Sequence, residues 1–235
     1  MGTVADSHLK LISAVAVRAE MQELLPRFKR LHGIDVDGDY DVNPAVARRV
    51  MAGEPFDVGL TNPRYVGEMI SSGRVVRDVH VPFGRVPLAI GAAGSRQEDI
   101  AGSREAVRAL LLGARSIGYV STGTSGETFL RAIEQMGIEA LLRGRMHAMG
   151  AGEPAIAAAN GQVQYAVAPL SRILASPGIA PAAIFPPELG LDIDLSMFVH
   201  ASTVTRERAM QLIRFLSDPT LDDYLQSHGI RRYRL

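Results

Sequence analysis

The apolar positions of this chain alternate between two periods. From Leu9 to Ala14 they run almost unbroken, as in a buried strand, and from Val17 they recur at helical spacing, with Val17, Met21, Leu24, Leu25, Phe28 and Leu31 on one face. Arg18, Glu20, Arg27 and Lys29 fall on the opposite, wet face, and Gly33 ends the helix. Ile34 to Tyr40 reads as a second strand leading into Asn43-Pro44, an N-cap followed by proline at the first helical position. A short helix then carries Val46, Val50 and Met51 to Gly53. Phe56 to Leu60 is a short buried strand, Thr61-Asn62-Pro63 opens another helix, and Gly73 stops it. Three β-to-α units in succession predict a parallel sheet.

A second series has the same plan. Val86 to Ile90 is a strand, and Gln97 to Arg104 is a polar surface loop. The Ala106–Leu112 helix, Ser116–Val120 strand, Gly126–Met136 helix, Met146–Met149 strand, Glu153–Asn160 helix and Val163–Val167 strand follow. After Leu174 the chain turns proline-rich, at Pro177, Pro181, Pro186 and Pro187. Ile193 to His200 then alternates as a strand that returns to the first series. Thr205 caps a helix with Ala209, Leu212, Ile213 and Leu216 inward, and Asp218-Pro219 caps the last helix, which reaches Gly229.

One connection stands out. Ser116 to Val120 runs into Ser121-Thr122-Gly123-Thr124-Ser125-Gly126-Glu127, where the glycines admit close approach to a ligand. Thr124 is placed to cap the helix, and Glu127 to close a capping box; N–H groups at such a start attract oxyanions. The same residues also serve as an ordinary αβ connection. The residues argue against a nucleotide loop, because lysine occurs only at Lys10 and Lys29 and Gly123 to Gly126 lacks the dinucleotide spacing.

With 235 residues, 47% of them hydrophobic, the chain can bury a core in one large α/β domain or two lobes. Its 25 basic and 25 acidic residues balance, which removes the electrostatic footprint of a nucleic-acid binder. Cysteine is absent, so disulfides and thiolate chemistry are excluded. The stretch Met1 to Asp6 shows no targeting pattern, which fits a cytoplasmic protein or a secreted one whose leader has been replaced. No apolar run is long enough for membrane insertion.

The titratable residues do not converge. His8, His32, His80, His147, His200 and His228 show no metal-ligand spacing, and Ser121, Ser125 and Ser171 lack a nucleophile elbow. No catalytic residue, metal site or cofactor is expected. Open parallel sheets bind ligands outside the carboxyl ends of their strands. That rule selects Ser13 to Val17, Asp41 to Ala45 and Leu60 to Pro63 in the first series. In the second it selects Ser121 to Gly126, Gly150 to Glu153 and Val167 to Leu170.

Several segments together resemble the periplasmic substrate-binding proteins of ABC importers, in the branch similar to the molybdate-binding proteins. They are Leu9 to Ala16, Ala47-Arg48-Arg49-Val50 with Gly53-Glu54-Pro55-Phe56-Asp57-Val58, and Gly123-Thr124-Ser125-Gly126 before Met136-Gly137-Ile138. Gly161 to Val167, Phe215 to Pro219 and His228-Gly229-Ile230 complete the set. The resemblance implies a type II binding-protein fold of two α/β lobes, each a mostly parallel sheet flanked by helices, with crossing strands near Phe83 to Ala92 and Ile193 to His200. It puts residues 1–84 and 196–235 in one lobe and 85–195 in the other. It implies a monomeric periplasmic receptor that closes on a small anion, molybdate-like or organic, and delivers it to an ABC permease. A cytoplasmic sensing domain or an enzyme on the same scaffold are the alternatives. The ligand positions it implies are Ser13, Val15, Ala16, Asn43, Thr61, Thr124, Ser125, Gly150 and Ala168. Three of them depart from the molybdate pattern, with Ala16 where a hydroxyl stands, Asn43 for a serine and Ala168 for a tyrosine. Asn43 brings an amide that both donates and accepts, suited to a ligand bearing protons or an organic oxyanion. Arg18, just beyond the first loop, is placed either to pair an acid or to sit in solvent.

Overall fold

The computed structural model describes residues 8–94 and 100–235. In chain order the elements are β1 (His8–Ala14), α1 (Arg18–His32), β2 (Asp35–Asp41), α2 (Asn43–Met51), β3 (Val58–Thr61), α3 (Val66–Ser71) and β4 (Val75–Val86). Next come β5 (Leu88–Ala93), α4 (Arg104–Gly113), β6 (Ile117–Val120), α5 (Thr124–Gln135), α6 (Glu139–Leu142) and β7 (Met146–Met149). The chain continues with α7 (Glu153–Ala159), β8 (Tyr165–Pro169), α8 (Leu170–Leu174), β9 (Ile179–Ile184), β10 (Ile193–His200), α9 (Arg206–Leu216) and α10 (Asp222–Ser227). Residues 97–99 of the expected polar loop lie outside the described residues.

The elements form two compact units. One holds the described residues up to Gly84 with Asp194–Gln226 and Arg231–Leu235; the other holds Arg85–Ile193 and Ser227–Ile230. Unit 1 has a five-stranded sheet of order β2-β1-β3-β10-β4, with β1 parallel to β2 and β3, and β10 antiparallel to β3. Unit 2 has order β7-β6-β8-β5-β9, with β6 parallel to β7 and β8, and β5 antiparallel to β8 and β9. Ile12, Val46, Val50, Phe56, Met69 and Phe198 fill one core of unit 1. Ile90, Val107, Ile117, Phe129, Ile133 and Phe185 are among those that fill the core of unit 2.

Prolines explain the elements that periodicity missed. Pro87 breaks the expected Val86–Ile90 strand into the end of β4 and the start of β5. β4 carries Pro82 and β9 carries Pro181, and both strands stand at sheet edges, where a missing N–H leaves no ladder bond unmade. Helix α1 also departs from expectation at two positions. Glu20 is buried rather than wet, near Tyr224 of α10, whose hydroxyl is held above its ordinary range by burial first, then by Glu23 and by Glu20. Leu31 is 69% exposed, and in the last turn the ring of His32 stacks instead, 4.7 Å from Phe28 and 6.3 Å from Phe215.

The segment from Ala47 to Val58 has a structural purpose. Arg49 joins α2 to the following turn through Glu54 (Nε to Oε2, 2.7 Å) and reaches back to Asp39 of β2. These hydrogen bonds hold the Asp39 and Glu54 carboxyls below their usual range. Asp57 accepts from the Lys10 N–H (2.8 Å) and from the hydroxyls of Thr203 (2.5 Å) and Thr205 (2.8 Å). Thr205 therefore does not cap α9 with its side chain. Asp57→Asn keeps the size but gives one oxygen's place to an amide donor, and should cost about 1–2 kcal/mol in chemical denaturation. A stability equal to wild type would mean that Asp57 does not tie β1 to the α9 entry.

Candidate functional site

The carboxyl ends of β1, β2 and β3 lie side by side, because Ser13 is in register with both Tyr40 and Leu60, and Ala14 with Asp41. Ser13 is fully buried, its hydroxyl directed to the Ala14 carbonyl at 3.4 Å. Val15 and Ala16 form a single 3-10 turn into α1, and Ala16 is buried. Arg18 opens α1 from the surface, with its guanidinium 5.7 Å from the centroid of the Tyr40 ring. Burial raises the Tyr40 hydroxyl to a pKa of about 12, so it is a neutral donor at physiological pH.

Asn43 does not cap its own helix; it is the first helical residue, and Val42 is the cap. Its Oδ1 accepts from the Thr61 hydroxyl (2.9 Å) and from the Asn62 N–H (2.9 Å). A backbone N–H can only donate, so the oxygen's position is fixed and the amide nitrogen must point the other way. Oδ1 thus takes one bond from the end of β3 and one from the residue after it, and Nδ2 makes none of the hydrogen bonds that join Asn43 to Thr61 and Asn62. Thr61 is fully buried and acts through Asn43, and Asn62 caps the next turn by accepting from the Arg64 N–H at 3.1 Å. The pairing spans 18 residues, and local sequence carries no signal for it.

Behind Thr61, Ser196 of β10 approaches the Thr61 carbonyl at 3.5 Å and His80 of β4 at 2.8 Å. Desolvation holds the His80 imidazole below its ordinary value. His200 is lowered too, first by burial and then by Arg74, against an opposing effect of Asp57. The folded protein thus binds these protons less tightly than the unfolded chain. Stability should be full above about pH 6.5 and fall as the pH drops below it. Thermal melts between pH 7.5 and 5 should show this decline, and His80→Gln should flatten it; an unchanged slope would remove His80 as a contributor.

In unit 2 the corresponding ends belong to β6, β7 and β8, with Val120 in register with Met149. Helix α5 begins two residues before Gly126, and its cap is Gly123, not Thr124. The expected capping box is therefore absent. The Gly123 carbonyl receives the first bonds, from Gly126 (3.0 Å) and Glu127 (3.2 Å). Gly126 explains the earlier start: a Cβ there would sit 1.7 Å from the Val120 carbonyl oxygen, so bare helix backbone lies on the strand end. Thr124 is 5% exposed, and its Oγ1 is buried with no hydrogen-bond partner. Ser125 is half-buried beside it, and the first-turn N–H groups of both precede the helical ladder.

Gly150 differs from expectation as a donor, since its N–H is taken by the Glu153 carboxylate at 2.6 Å. Ala168 is buried in β8 opposite Ala89. Sequence reasoning passed over Arg172, on α8 just past the end of β8, although it is the one cation among residues 168–172. Among the described residues no cluster of His, Asp or Glu is arranged to hold a metal ion, and no helix is long and apolar enough to cross a membrane.

Comparison with solved structures gives a TM-score of 0.82 with the periplasmic molybdate-binding protein of Azotobacter vinelandii, at 15% identity over 96% of this chain and 100% of that one. A sulfate-binding protein from Mycobacterium tuberculosis gives 0.75, at 15% identity over 96% of this chain and 86% of that one. These likenesses show the fold, which is the type II periplasmic binding-protein architecture of two α/β units. In sequence, a Pseudomonas protein named aconitate isomerase is 22% identical over 230 residues, 95% of this chain and 87% of that protein. The model of the bacterial extracellular solute-binding proteins matches residues 9–231, and the chain belongs to that family.

Proposed function

We propose that this protein is an extracytoplasmic receptor that binds a small anion and delivers it to an ABC permease. The observation that carries the reading is Thr124, a buried hydroxyl without a partner at the N-terminus of a twelve-residue helix. An unmet buried hydroxyl costs about 1–3 kcal/mol, and an oxyanion at this helix start would take its hydrogen bond together with those of the adjacent N–H groups. At the strand ends of unit 1, Asn43 offers a neutral donor of its own. The ligand set is Ser13, Val15, Ala16, Asn43, Thr61, Thr124, Ser125, Gly150 and Ala168, with Thr61 acting through Asn43 and Gly150 available when Glu153 swings away. Binding favours the form of the receptor that holds the ligand better, and that form is the one the permease accepts. The receptor acts as a monomer.

Calorimetric titration with molybdate, tungstate, sulfate, phosphate, citrate and aconitate tests the reading. Saturable heat with at least one anion, and a matching rise in Tm, is the expected result; silence across the panel would end it. A second reading, an isomerase of a small tricarboxylate, draws on the named relative from Pseudomonas. Proton NMR of cis- or trans-aconitate incubated with the protein separates the two, since a receptor leaves the spectrum unchanged and an isomerase interconverts the signals.

A further inference from the structure

We propose that Arg172 sets the specificity of the ligand site, selecting small organic anions that carry a carboxylate over inorganic tetrahedral oxyanions. The inference rests on the solute-receptor reading above and names its substrate class. The strand-end segments of unit 2, residues 121–126, 149–153 and 168–172, contain one acidic side chain, Glu153, and one basic, Arg172. Glu153 is folded back onto the Gly150 N–H, so the acid is engaged at the end of β7. The guanidinium of Arg172 lies 3.8 Å from where a Cβ on Gly152 would stand, which brings it to the end of β7 although its helix leaves β8. Gly152, at φ 85°, takes a conformation that favours glycine and leaves this approach open.

The base of the side chain is fixed. Leu170 donates its N–H to the Pro87 carbonyl at 2.9 Å, Ser171 and Ile173 on either side of Arg172 are buried, and the Ser176 hydroxyl holds the Arg172 carbonyl at 2.7 Å. A planar guanidinium on a fixed base can meet a carboxylate with two parallel hydrogen bonds. The end of β8, from which α8 leaves, points to the same ligand class. Ala168 carries a methyl group, not a donor, which suits a carbon skeleton with a charged end better than an ion with oxygens on every side.

The test is titration of wild type, Arg172→Gln and Arg172→Lys with citrate, succinate, molybdate and sulfate, with thermal melts to confirm folding. The expected result is carboxylate binding by wild type, about 10- to 100-fold weaker in Arg172→Gln and partly restored in Arg172→Lys, with the inorganic anions bound weakly and equally by all three. Wild-type binding of molybdate or sulfate without carboxylates overturns the inference and leaves the receptor reading standing. So does an Arg172→Gln variant that loses nothing, or that loses all anions alike. No binding of any anion by wild type overturns both.

Discussion

Gly126→Ala should destabilise unit 2 by about 3 kcal/mol or more, and chemical denaturation of the purified variant would measure it. In an ordinary helix interior the same change gains up to about 1 kcal/mol, because alanine leaves the unfolded chain less freedom to lose. Here the added methyl would stand 1.7 Å from the Val120 carbonyl oxygen, and backbone cannot rotate away as a side-chain tip can. Relief requires α5 to lift off the end of β6, which would move Thr124 and Ser125 and weaken anion binding at the same time. Gly113→Ala is the control: it is also helical, with no atom within 4 Å of its Cβ position, and should be neutral or slightly stabilising. A Gly126→Ala protein within 1 kcal/mol of wild type would refute the close packing.

Asn43→Asp separates the two roles of that side chain. The carboxylate still accepts from the Thr61 hydroxyl and the Asn62 N–H, so the join between α2 and β3 survives and stability should stay within about 1 kcal/mol of wild type. The atom that replaced the amide nitrogen would now carry negative charge toward an anion. Affinity for any anion in the panel should fall by more than about 100-fold, from the lost donor and the added repulsion together. Asn43→Ala should instead lose about 1–3 kcal/mol of stability, since Thr61 and Asn62 are left with unmet donors. If Asn43→Asp binds anions as wild type does, Asn43 does not face the ligand.

Much of the fold was legible along the chain wherever hydrophobic period and punctuation agreed. β7 and β10 begin and end where the sequence places them, and glycines close α1, α2 and α3 as expected. Asn62 and Asp218 cap as their positions predict, accepting from N–H groups two residues on. The misses have a common physical origin in partners distant along the chain. Thr205 is spent on Asp57, Asn43 on Thr61, and Gly150 on Glu153, so each group's local option gave way to a better-placed neighbour. β4 and β9 escaped because proline is a strand breaker in general and tolerable only at an edge, and edge position is a property of the folded sheet. The strand-end rule selected segments by their position alone, and the roles within them depended on side-chain rotamers that no periodicity encodes.

The division of the tail between the units bears on when the protein can finish folding. Ser227–Ile230 belongs to unit 2, where Leu170 fills the space beside Gly229 and Ile230 is fully buried, while Arg231–Leu235 returns to unit 1, where Arg232 bonds to the Phe83 carbonyl at 2.7 Å. Most of unit 2 is complete at Ile193, yet its last buried apolar residue, Ile230, follows β10 and α9 of unit 1 in the chain. Neither unit can therefore complete its core before residues of the other are made, and the two finish folding together.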